Sequence, residues 1–476
     1  MSSENNTQMQ AALAAVVGAK YVVAGESIDT RYRVDLTQKY ASSPAFLVKP
    51  ATTEEVAGVV RIAAAAHTPV TVIGGQTGTC GAAVPADGGI ALSLERMNRI
   101  VEIDHGAMTM TVEAGCILQV AQEAAEAGQL MLPLDLGARG SAMIGGVIGT
   151  NAGGNRVLRW GMMRDMVIGL EAVLADGTVV SSLTKMLKDN AGYNWKHLLI
   201  GSEGTLGIVT RAVLRLRPLP TTCQTALLAM ENFDACIAVL RALGTTLSGR
   251  LSSYELMWED FYQRMSESQV NGGARPLPLG FPYYALVEAM GGDEEGDDAQ
   301  FERALAMLLE EGVVADAVIA QSERERKALW DIREEMQHGL APMRPFRSYD
   351  VSMGQTDMPA FVAAARQNFA DSYPNVDAIF YGHVGDGNLH AVVTIGEMDA
   401  SIADTLDLCV YRAAQSVNGS ISAEHGIGVG RLAYIDMTRS AEELALMRTL
   451  KKALDPDNIL NPGKMVDLAA GCARPS

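Results

Sequence analysis

The sequence is short of aromatic residues and of positive charge. Only 5% of its 476 residues are aromatic, so aliphatic side chains must fill most of the core. The net charge is −18, which argues against nucleic acid or anionic lipid as a partner, because both need a basic surface. An anionic small molecule stays open as a substrate, provided that a local cationic site meets its charge.

Paired cysteines and long apolar runs are also lacking. Six cysteines are scattered without a C-x-x-C pair, at positions 80, 116, 223, 236, 409 and 472. In a chain of this length they indicate reduced thiols rather than a disulfide framework. Residues 1–10 are polar and lack the apolar core of a signal peptide, and no stretch approaches about 20 uninterrupted apolar residues. These features predict a cytoplasmic location, with peripheral association with a membrane left open.

The chain is rich in glycine, with 47 residues, many of them between Gly74 and Gly207. From Ala45 onward, strand and helix patterns alternate. The predicted elements include a helix at 54–66 with Thr53 as N-cap, strands at 70–73, 90–94, 100–103, 108–113, 167–174 and 208–216, and a hairpin at Asp176-Gly177. Two prolines in 217–220 end the last of these strands and predict a domain boundary. Further strands at 225–230, 283–288, 378–381 and 389–395, and a long polar helix from about Ser322 to Gly339, are predicted beyond it.

Three glycine-rich stretches carry the first functional signal. The first, Gly74-Gly75-Gln76-Thr77-Gly78-Thr79-Cys80-Gly81, follows a predicted strand, and its amide groups can form a concave anion site. It is neither G-x-G-x-x-G nor a P-loop with its lysine, which disfavours a nicotinamide Rossmann site and a nucleoside triphosphatase. Taken alone, it could equally be a tight turn. The second stretch, 133–154, and the third, 201–210, favour a surface where backbone lies against a large planar ligand with a diphosphate.

These stretches resemble the vanillyl-alcohol-oxidase type of FAD-binding domain. The branch that they resemble contains FAD-linked D-lactate and D-2-hydroxyglutarate dehydrogenases and the glycolate oxidase flavoprotein subunit, and the likeness runs from about Ala45 to Met465. It implies an α+β fold with a two-subdomain FAD-binding domain over 1–220. An α/β substrate domain with an antiparallel sheet is expected over 221–425, and a C-terminal helical segment that returns to the flavin over 426–476.

The resemblance also implies the FAD contacts. It places the diphosphate on the first loop and on the 140–146 turn, the isoalloxazine near Pro133, and the adenosine end near Glu203. The implied FAD-binding residues are Pro133, Gly74, Gly75, Gln76, Thr77, Gly78, Thr79, Gly140, Ser141, Gly145, Gly146, Asn151, Gly154, Glu203, Gly207, Ile208 and, from the closing motif Asn461-Pro462-Gly463-Lys464, Asn461. Some relatives bond the flavin covalently. Cys80, the candidate in the first loop, sits past the usual position, so non-covalent FAD is expected.

A second constellation combines histidines with a carboxylate. His383 and His390 bracket the turn Val384-Gly385-Asp386-Gly387-Asn388-Leu389, and Glu424-His425 follows later. Two imidazoles and a carboxylate are typical of a catalytic divalent metal site, whereas solvated turn residues are the ordinary alternative. In the resembled family His383, His390 and Glu424 match metal ligands, usually of zinc or manganese. His425 matches a proposed general base in oxidation of a 2-hydroxy acid by hydride transfer to flavin N5, and Asn388 is expected to position substrate or flavin.

The substrate carboxylate should meet an arginine, because a guanidinium binds it bidentately. The candidates are Arg333, Arg344 and Arg347. Arg333 matches the resembled family's substrate-contacting segment, although it could instead pair with nearby glutamates on an exposed helix. Ser348 and Gln337 depart from the pattern of the 2-hydroxyglutarate type, so D-lactate, D-2-hydroxyglutarate, D-malate and other short acids stay open.

Other interpretations stay open as well. A metal-dependent hydrolase without flavin would leave the glycine stretches unexplained, and a non-redox flavin transferase of the same superfamily is a further alternative. Because no nicotinamide fingerprint is present, a quinone, a cytochrome or an electron-transfer flavoprotein is the expected electron acceptor. A homodimer is expected.

Overall fold

The computed structural model describes residues 3–269 and 275–468 and divides into two units. Unit 1 comprises Met1–Gly154, Gly161–Leu219 and Glu424–Ser476, and unit 2 comprises Asn155–Trp160 and Pro220–Ala423. Cys472, one of the predicted thiols, lies outside the described residues. Within the described ranges, no helix combines the length and the apolar composition that a membrane crossing requires.

Helices and strands are interspersed along the whole described chain. The helices are α1 (Ser3–Val17), α2 (Thr53–Ala65), α3 (Leu118–Glu126), α4 (Ile144–Gly149), α5 (Val157–Trp160), α6 (Met163–Met166), α7 (Lys196–Leu199), α8 (Phe233–Thr246), α9 (Glu259–Gln269), α10 (Asp297–Glu310), α11 (Glu323–Glu334), α12 (Met336–Leu340), α13 (Met358–Ser372), α14 (Ala400–Ser416) and α15 (Ala441–Leu454). The strands are β1 (Val22–Ala24), β2 (Phe46–Val48), β3 (Val70–Ile73), β4 (Ile90–Ser93), β5 (Ile100–Asp104), β6 (Thr109–Glu113), β7 (Leu130–Met131), β8 (Val167–Val173), β9 (Val179–Ser182), β10 (Ile208–Arg215), β11 (Arg217–Pro218), β12 (Thr222–Met230), β13 (Leu251–Trp258), β14 (Tyr283–Gly291), β15 (Asp316–Ile319), β16 (Arg347–Ser352), β17 (Asp377–His383) and β18 (Asn388–Thr394).

Unit 1 contains a four-stranded sheet in the order β1-β2-β4-β3 and a five-stranded antiparallel sheet in the order β5-β6-β10-β8-β9. In the first sheet β2 and β3 both run parallel to β4, as a strand–helix–strand connection through α2 requires. The predicted strands of this region and the hairpin at Asp176-Gly177 are confirmed. The first glycine stretch lies directly after β3, the second surrounds α4, and the third runs into the start of β10.

Helix α2 shows how local sequence sets an element boundary. Val56, Val59, Val60 and Ala63 recur at helical spacing and are all buried, which explains why the segment is helical. The predicted N-cap is wrong by one residue: the side chain of Thr52 accepts the first-turn N–H. The Thr53 hydroxyl instead donates to the buried Glu171 carboxylate over 2.6 Å, a tertiary bond that the local pattern does not reveal.

Unit 2 is built on a seven-stranded sheet in the order β15-β12-β14-β13-β17-β18-β16. The strands β13, β15 and β16 were not predicted from the sequence. In β13 every residue is buried although polar and apolar side chains are mixed, so the strand has neither alternation nor an apolar run to reveal it. One face of the sheet packs on an aromatic cluster that includes Phe261, Tyr262, Tyr284 and Tyr381.

The long polar helix predicted from about Ser322 to Gly339 is divided in the structure. Glu335 has non-helical backbone angles (φ −80°, ψ 64°), and it separates α11 from α12. The break leaves Arg333 in the last turn of α11, where the side chain is buried, and Gln337 exposed in α12.

The last segment of unit 1 is fixed by a buried lysine. Nζ of Lys451 donates to the carbonyl oxygens of Thr205 (2.9 Å) and Leu460 (2.7 Å) and pairs with the fully buried Asp455. Burial lowers the pKa of Lys451, against the opposing effect of Asp455. Leu460 in turn pairs with Val70 in a parallel bridge beside β3. The Lys451 ammonium group thus fixes the C-terminal segment around Leu460 beside β3, the strand that precedes the first glycine loop.

Replacing Lys451 by Met would leave the Asp455 carboxylate buried without its cation, and losing a buried partner costs about 3–5 kcal/mol. We expect a clearly lower Tm in differential scanning calorimetry. Lys452→Met, at the exposed next position, is the matched control and should change stability by less than about 0.5 kcal/mol. Equal Tm values for the two variants would contradict the role given to Lys451.

Candidate active site

The first and second glycine stretches lie against each other in unit 1. A Cβ atom at Gly75 would lie 2.0 Å from the carbonyl oxygen of Ser141, and one at Gly74 would lie 3.6 Å from Cα of Gly146. Position 75 therefore requires glycine, because two main chains leave no room for a side chain. Among the described residues, no atom outside the local backbone lies within 4 Å of a Cβ built at Gly78 or Gly146, so these faces of the two loops can receive a ligand.

Gly154 brings the residues predicted near the isoalloxazine together. Its φ is +153°, and a Cβ there would lie 1.8 Å from the carbonyl oxygen of Asp135, so the main chains on either side touch. Pro133 is buried. Asn151 has a φ of 51°, and its Oδ1 accepts the N–H of Arg164 over 2.9 Å. The structure thus places Pro133, Asn151 and Gly154 in one part of unit 1.

The other predicted FAD contacts differ in their surroundings. A Cβ at Gly145 would lie 2.8 Å from Cβ of Ala114, and one at Gly207 would lie 3.1 Å from a methyl carbon of Leu199, so packing alone already favours glycine at both positions. Ile208 is buried at the start of β10. Half-buried or exposed positions are Gln76, Thr77, Thr79, Gly140 and Ser141.

Glu203 has a partner that the sequence did not indicate. Its carboxylate is buried and accepts the N–H groups of Ile427 (2.6 Å) and Gly428 (2.8 Å). Burial raises the pKa of Glu203, and these N–H groups oppose the rise. Asn461 donates to the carbonyl oxygen of Glu203 over 2.6 Å, while its own buried Oδ1 has no hydrogen-bond partner among the described residues. The Glu203 side chain therefore holds the 427–428 turn.

In unit 2, strand register collects the titratable side chains on one face of the sheet. Glu255 in β13 lies opposite His383 in β17, while Tyr381 and Asp350 both lie opposite His390 in β18. Directly opposed residues point to the same face, and residues two apart on a strand do so as well. The rings of His383 and His390 are 5.4 Å apart between centroids.

Glu255, which the sequence analysis missed, lies at the centre of this group. It is 1% exposed, and its Oε1 lies 2.7 Å from Nδ1 of His383. Its Oε2 accepts from Nε (3.0 Å) and Nη2 (2.9 Å) of Arg333. Burial acts to raise the pKa of Glu255, but His383 and Arg333 outweigh it and the pKa is lowered. The available signal was a carboxylate within the apolar sequence around 254–258, in a strand that was itself missed.

The turn between β17 and β18 fixes the spacing of the histidines. Gly387 has a φ of +86°, and a Cβ at Gly382 would lie 2.4 Å from the carbonyl oxygen of Asn388. Glycine at these positions lets the strands close tightly. Asn388 is buried, and neither side-chain amide atom has a hydrogen-bond partner within the described ranges. A buried amide without partners is costly unless another group satisfies it, which fits the predicted substrate or flavin contact.

Glu424 directly follows Ala423, where unit 2 ends. One possible ligand atom each from His383, His390 and Glu424 lies within 4.8 Å of the others. Gly426 has a φ of +77°, so the backbone turns just after Glu424-His425. His425 is partly buried.

The three arginine candidates for a substrate carboxylate differ in their burial and in their partners. Arg347 pairs with the buried Asp407, to which Tyr349 also donates, and its strand position places it on the face opposite to Asp350. Arg344 is exposed. Arg333 is 5% exposed, and its Nη2 lies 3.5 Å from Nε2 of His383. The ordinary alternative of an exposed helical ion pair is therefore wrong for Arg333.

Two protein-family models match the chain. The model described as FAD binding domain matches residues 44–182, and the model described as FAD linked oxidases, C-terminal domain, matches residues 219–465. The second match alone spans more than half of the 476 residues. The first match contains the first and second glycine stretches, and the second match contains the histidine-bearing sheet, while the third stretch, 201–210, lies between the two matched regions.

Curated relatives and solved structures agree with these matches. The D-2-hydroxyglutarate dehydrogenase of Xanthomonas citri pv. viticola is 41% identical over 92% of both chains. The mitochondrial D-2-hydroxyglutarate dehydrogenase of Bos taurus is 36% identical over 96% of this chain and 83% of its own. The structure of p-cresol methylhydroxylase superposes with a TM-score of 0.76 over 98% of both chains at 17% identity, which shows the fold. The chain therefore belongs to the FAD-linked oxidases and is an FAD-dependent oxidoreductase with the predicted vanillyl-alcohol-oxidase type of α+β fold.

Proposed function

We propose that the chain oxidises a D-2-hydroxy acid of the D-2-hydroxyglutarate class to the corresponding 2-oxo acid. The main support for this proposal is the buried group of Arg333, Glu255 and His383, in which a fixed guanidinium lies beside an imidazole. A carboxylate substrate needs such a cation in a chain of net charge −18. The names of the relatives from Xanthomonas citri pv. viticola and Bos taurus support this substrate class.

FAD is the oxidant in this proposal. When bound, it would supply the acceptor for the hydride of the substrate's C2. The open faces of Gly78 and Gly146 and the unpartnered Oδ1 of Asn461 fit a phosphate-bearing cofactor in unit 1. Cys80 is buried, and its carbonyl oxygen accepts the N–H groups of Val429 and Gly430, which favours non-covalent binding.

A divalent cation is a further part of the proposal, with His383, His390 and Glu424 as its ligands. Two imidazoles and a carboxylate match the ligand set of catalytic zinc, and manganese is the alternative. Their ligand atoms lie within 4.8 Å of one another, which suits one shared ion. When bound, the cation would lower the pKa of the substrate hydroxyl.

The chain's own side chains have separate roles in this reaction. Arg333 binds the substrate carboxylate, because a guanidinium has five N–H donors and Glu255 occupies only some of them. His425 accepts the proton of the hydroxyl as general base. Asn388 positions the substrate or the flavin with its buried amide. The electron acceptor in the second half-reaction is a quinone, a cytochrome or an electron-transfer flavoprotein, since the sequence has no nicotinamide fingerprint.

The first test is optical. Purified protein should carry the long-wavelength absorption bands of oxidised flavin, and anaerobic D-2-hydroxyglutarate should bleach them because hydride transfer reduces the flavin. L-2-hydroxyglutarate is the stereochemical control and should leave the bands unchanged. D-lactate and D-malate, compared at equal concentration, rank the substrates. Flavin that no D-2-hydroxy acid reduces would overturn the proposal.

Gly75→Ala tests the FAD site. The added methyl group would overlap the Ser141 carbonyl, so the loops must separate, and FAD affinity should fall by about tenfold or more, equivalent to about 1.4 kcal/mol. Gly106→Ala is the control, because its Cβ meets nothing closer than 3.5 Å. FAD titration by flavin fluorescence measures both. Unchanged affinity in Gly75→Ala would refute the assignment of this loop to FAD.

His425→Asn tests the general base. Removing such a base typically costs about 10²–10⁴-fold in rate, so the rate of flavin reduction should fall by that factor while FAD content stays constant. His105→Asn, an exposed histidine of the same unit, should reduce flavin at the original rate. Rapid-mixing spectroscopy under anaerobic conditions makes the measurement. A wild-type rate in His425→Asn would exclude His425 as the base.

A further inference from the structure

Glu255 divides its two carboxylate oxygens between two different side chains. Oε1 faces Nδ1 of His383 at 2.7 Å, and Oε2 faces Nε of Arg333 at 3.0 Å. The Glu255 and Arg333 side chains are 1% and 6% exposed, and the His383 side chain is 9% exposed. Water is therefore largely excluded, and each of these polar groups depends on the others for its hydrogen bonds.

The arrangement fixes which nitrogen of His383 carries a hydrogen. A carboxylate only accepts hydrogen bonds, so Nδ1 of His383 must be the donor to Glu255, and Nε2 carries the lone pair in the neutral ring. The second contact agrees, because the guanidinium of Arg333 can only donate, and its Nη2 lies 3.5 Å from Nε2. At that distance the contact is at the outer limit of a hydrogen bond.

Register explains why the contact is rigid. Glu255 and His383 are direct partners across β13 and β17, both strands being interior to the seven-stranded sheet. The guanidinium of Arg333 also lies over the ring of Tyr381 at 4.7 Å, which is two residues from His383 on the same face. The backbone ladder and the aromatic face thus hold all three side chains in place.

We propose that Glu255 is a positioning residue with a double role. It holds His383 in the Nδ1–H form, so that Nε2 is presented to a divalent cation, and it orients the Arg333 guanidinium for the substrate carboxylate. This inference rests on the proposed function, in which His383 and Arg333 have those roles. In metal sites generally, a histidine ligand donates its other N–H to a carboxylate or carbonyl, and losing that partner weakens metal binding.

Glu255→Gln is the decisive variant because an amide cannot serve both partners. If its oxygen faces Arg333, its NH₂ group faces Nδ1 and moves the imidazole hydrogen to Nε2. If the oxygen faces His383, the NH₂ group meets the donors of Arg333. We expect Zn²⁺ affinity, measured by competition with a chromogenic chelator, to fall by about 10–100-fold. The KM for D-2-hydroxyglutarate should rise, while FAD content stays unchanged.

Glu288→Gln is the matched control. Glu288 lies in the neighbouring strand β14 and is 3% exposed. Its Oε2 accepts from both Trp330 (2.9 Å) and Thr225 (3.3 Å), so a single amide oxygen can keep both bonds. Zn²⁺ affinity and KM should therefore match wild type. If Glu288→Gln lost as much Zn²⁺ affinity as Glu255→Gln, the loss would be a general effect of removing buried charge, and the inference would be overturned.

The outcomes separate this inference from the function on which it rests. If wild type neither binds Zn²⁺ nor reduces its flavin with a D-2-hydroxy acid, the proposed function fails, and this inference fails with it. If wild type does both and Glu255→Gln retains wild-type Zn²⁺ affinity, only this inference fails.

A second measurement uses the wild-type protein, so it tests the inference even if Glu255→Gln does not fold. NMR of ring-¹⁵N-histidine protein loaded with ¹¹³Cd²⁺, assigned with His383→Gln, should show cadmium coupling at Nε2 of His383. Coupling at Nδ1 would overturn the inference.

Discussion

Main chain lying directly on main chain is the contact on which unit 1 depends. At Gly75 and at Gly154 a Cβ atom would overlap a carbonyl oxygen of the facing segment. The contact at Gly75 joins two stretches that are distant in sequence, and the contact at Gly154 closes the 133–154 stretch on itself. Backbone amides suit an anionic cofactor because they are donors of fixed direction that need no charge. An acidic protein that is rich in glycine can therefore bind an anionic cofactor through its backbone amides.

Unit 2 differs from unit 1 in that charged side chains are buried against its sheet. Glu255, Arg333 and His383 are buried together, and each would be unfavourable alone. Strand register makes their association obligatory, since a slip by one residue would turn Glu255 to the other face. Arg347 and Asp407 repeat the pairing on that other face. The same sheet thus has the Arg347–Asp407 ion pair on one face and the group of Glu255, Arg333 and His383 on the other.

The sequence predicted most of the strands of unit 1, and it singled out His383, His390 and Arg333, which lie close together in unit 2. Glycine loops and histidine spacing are local signals. The sequence could not predict Glu255, because β13 has no periodic pattern and its partners come from β17 and α11. It placed Glu203 near the cofactor without revealing that its carboxylate holds the 427–428 turn. The N-cap of α2 was misplaced by one residue for a similar reason, since the Thr53 hydroxyl is used in a tertiary hydrogen bond to Glu171.

The way unit 1 is completed has a consequence for biosynthesis. Its residues up to Leu219 emerge first from the ribosome, but Lys451, Leu460 and Asn461 come only after Pro220–Ala423. Until then β3 lacks its neighbour at Leu460, and the carbonyl of Ala82 lacks the donor from Asn461. Contacts over such sequence separations form late and slowly. The unit that begins first is therefore the last to be completed, because its final contacts need residues that are synthesised after the whole of Pro220–Ala423.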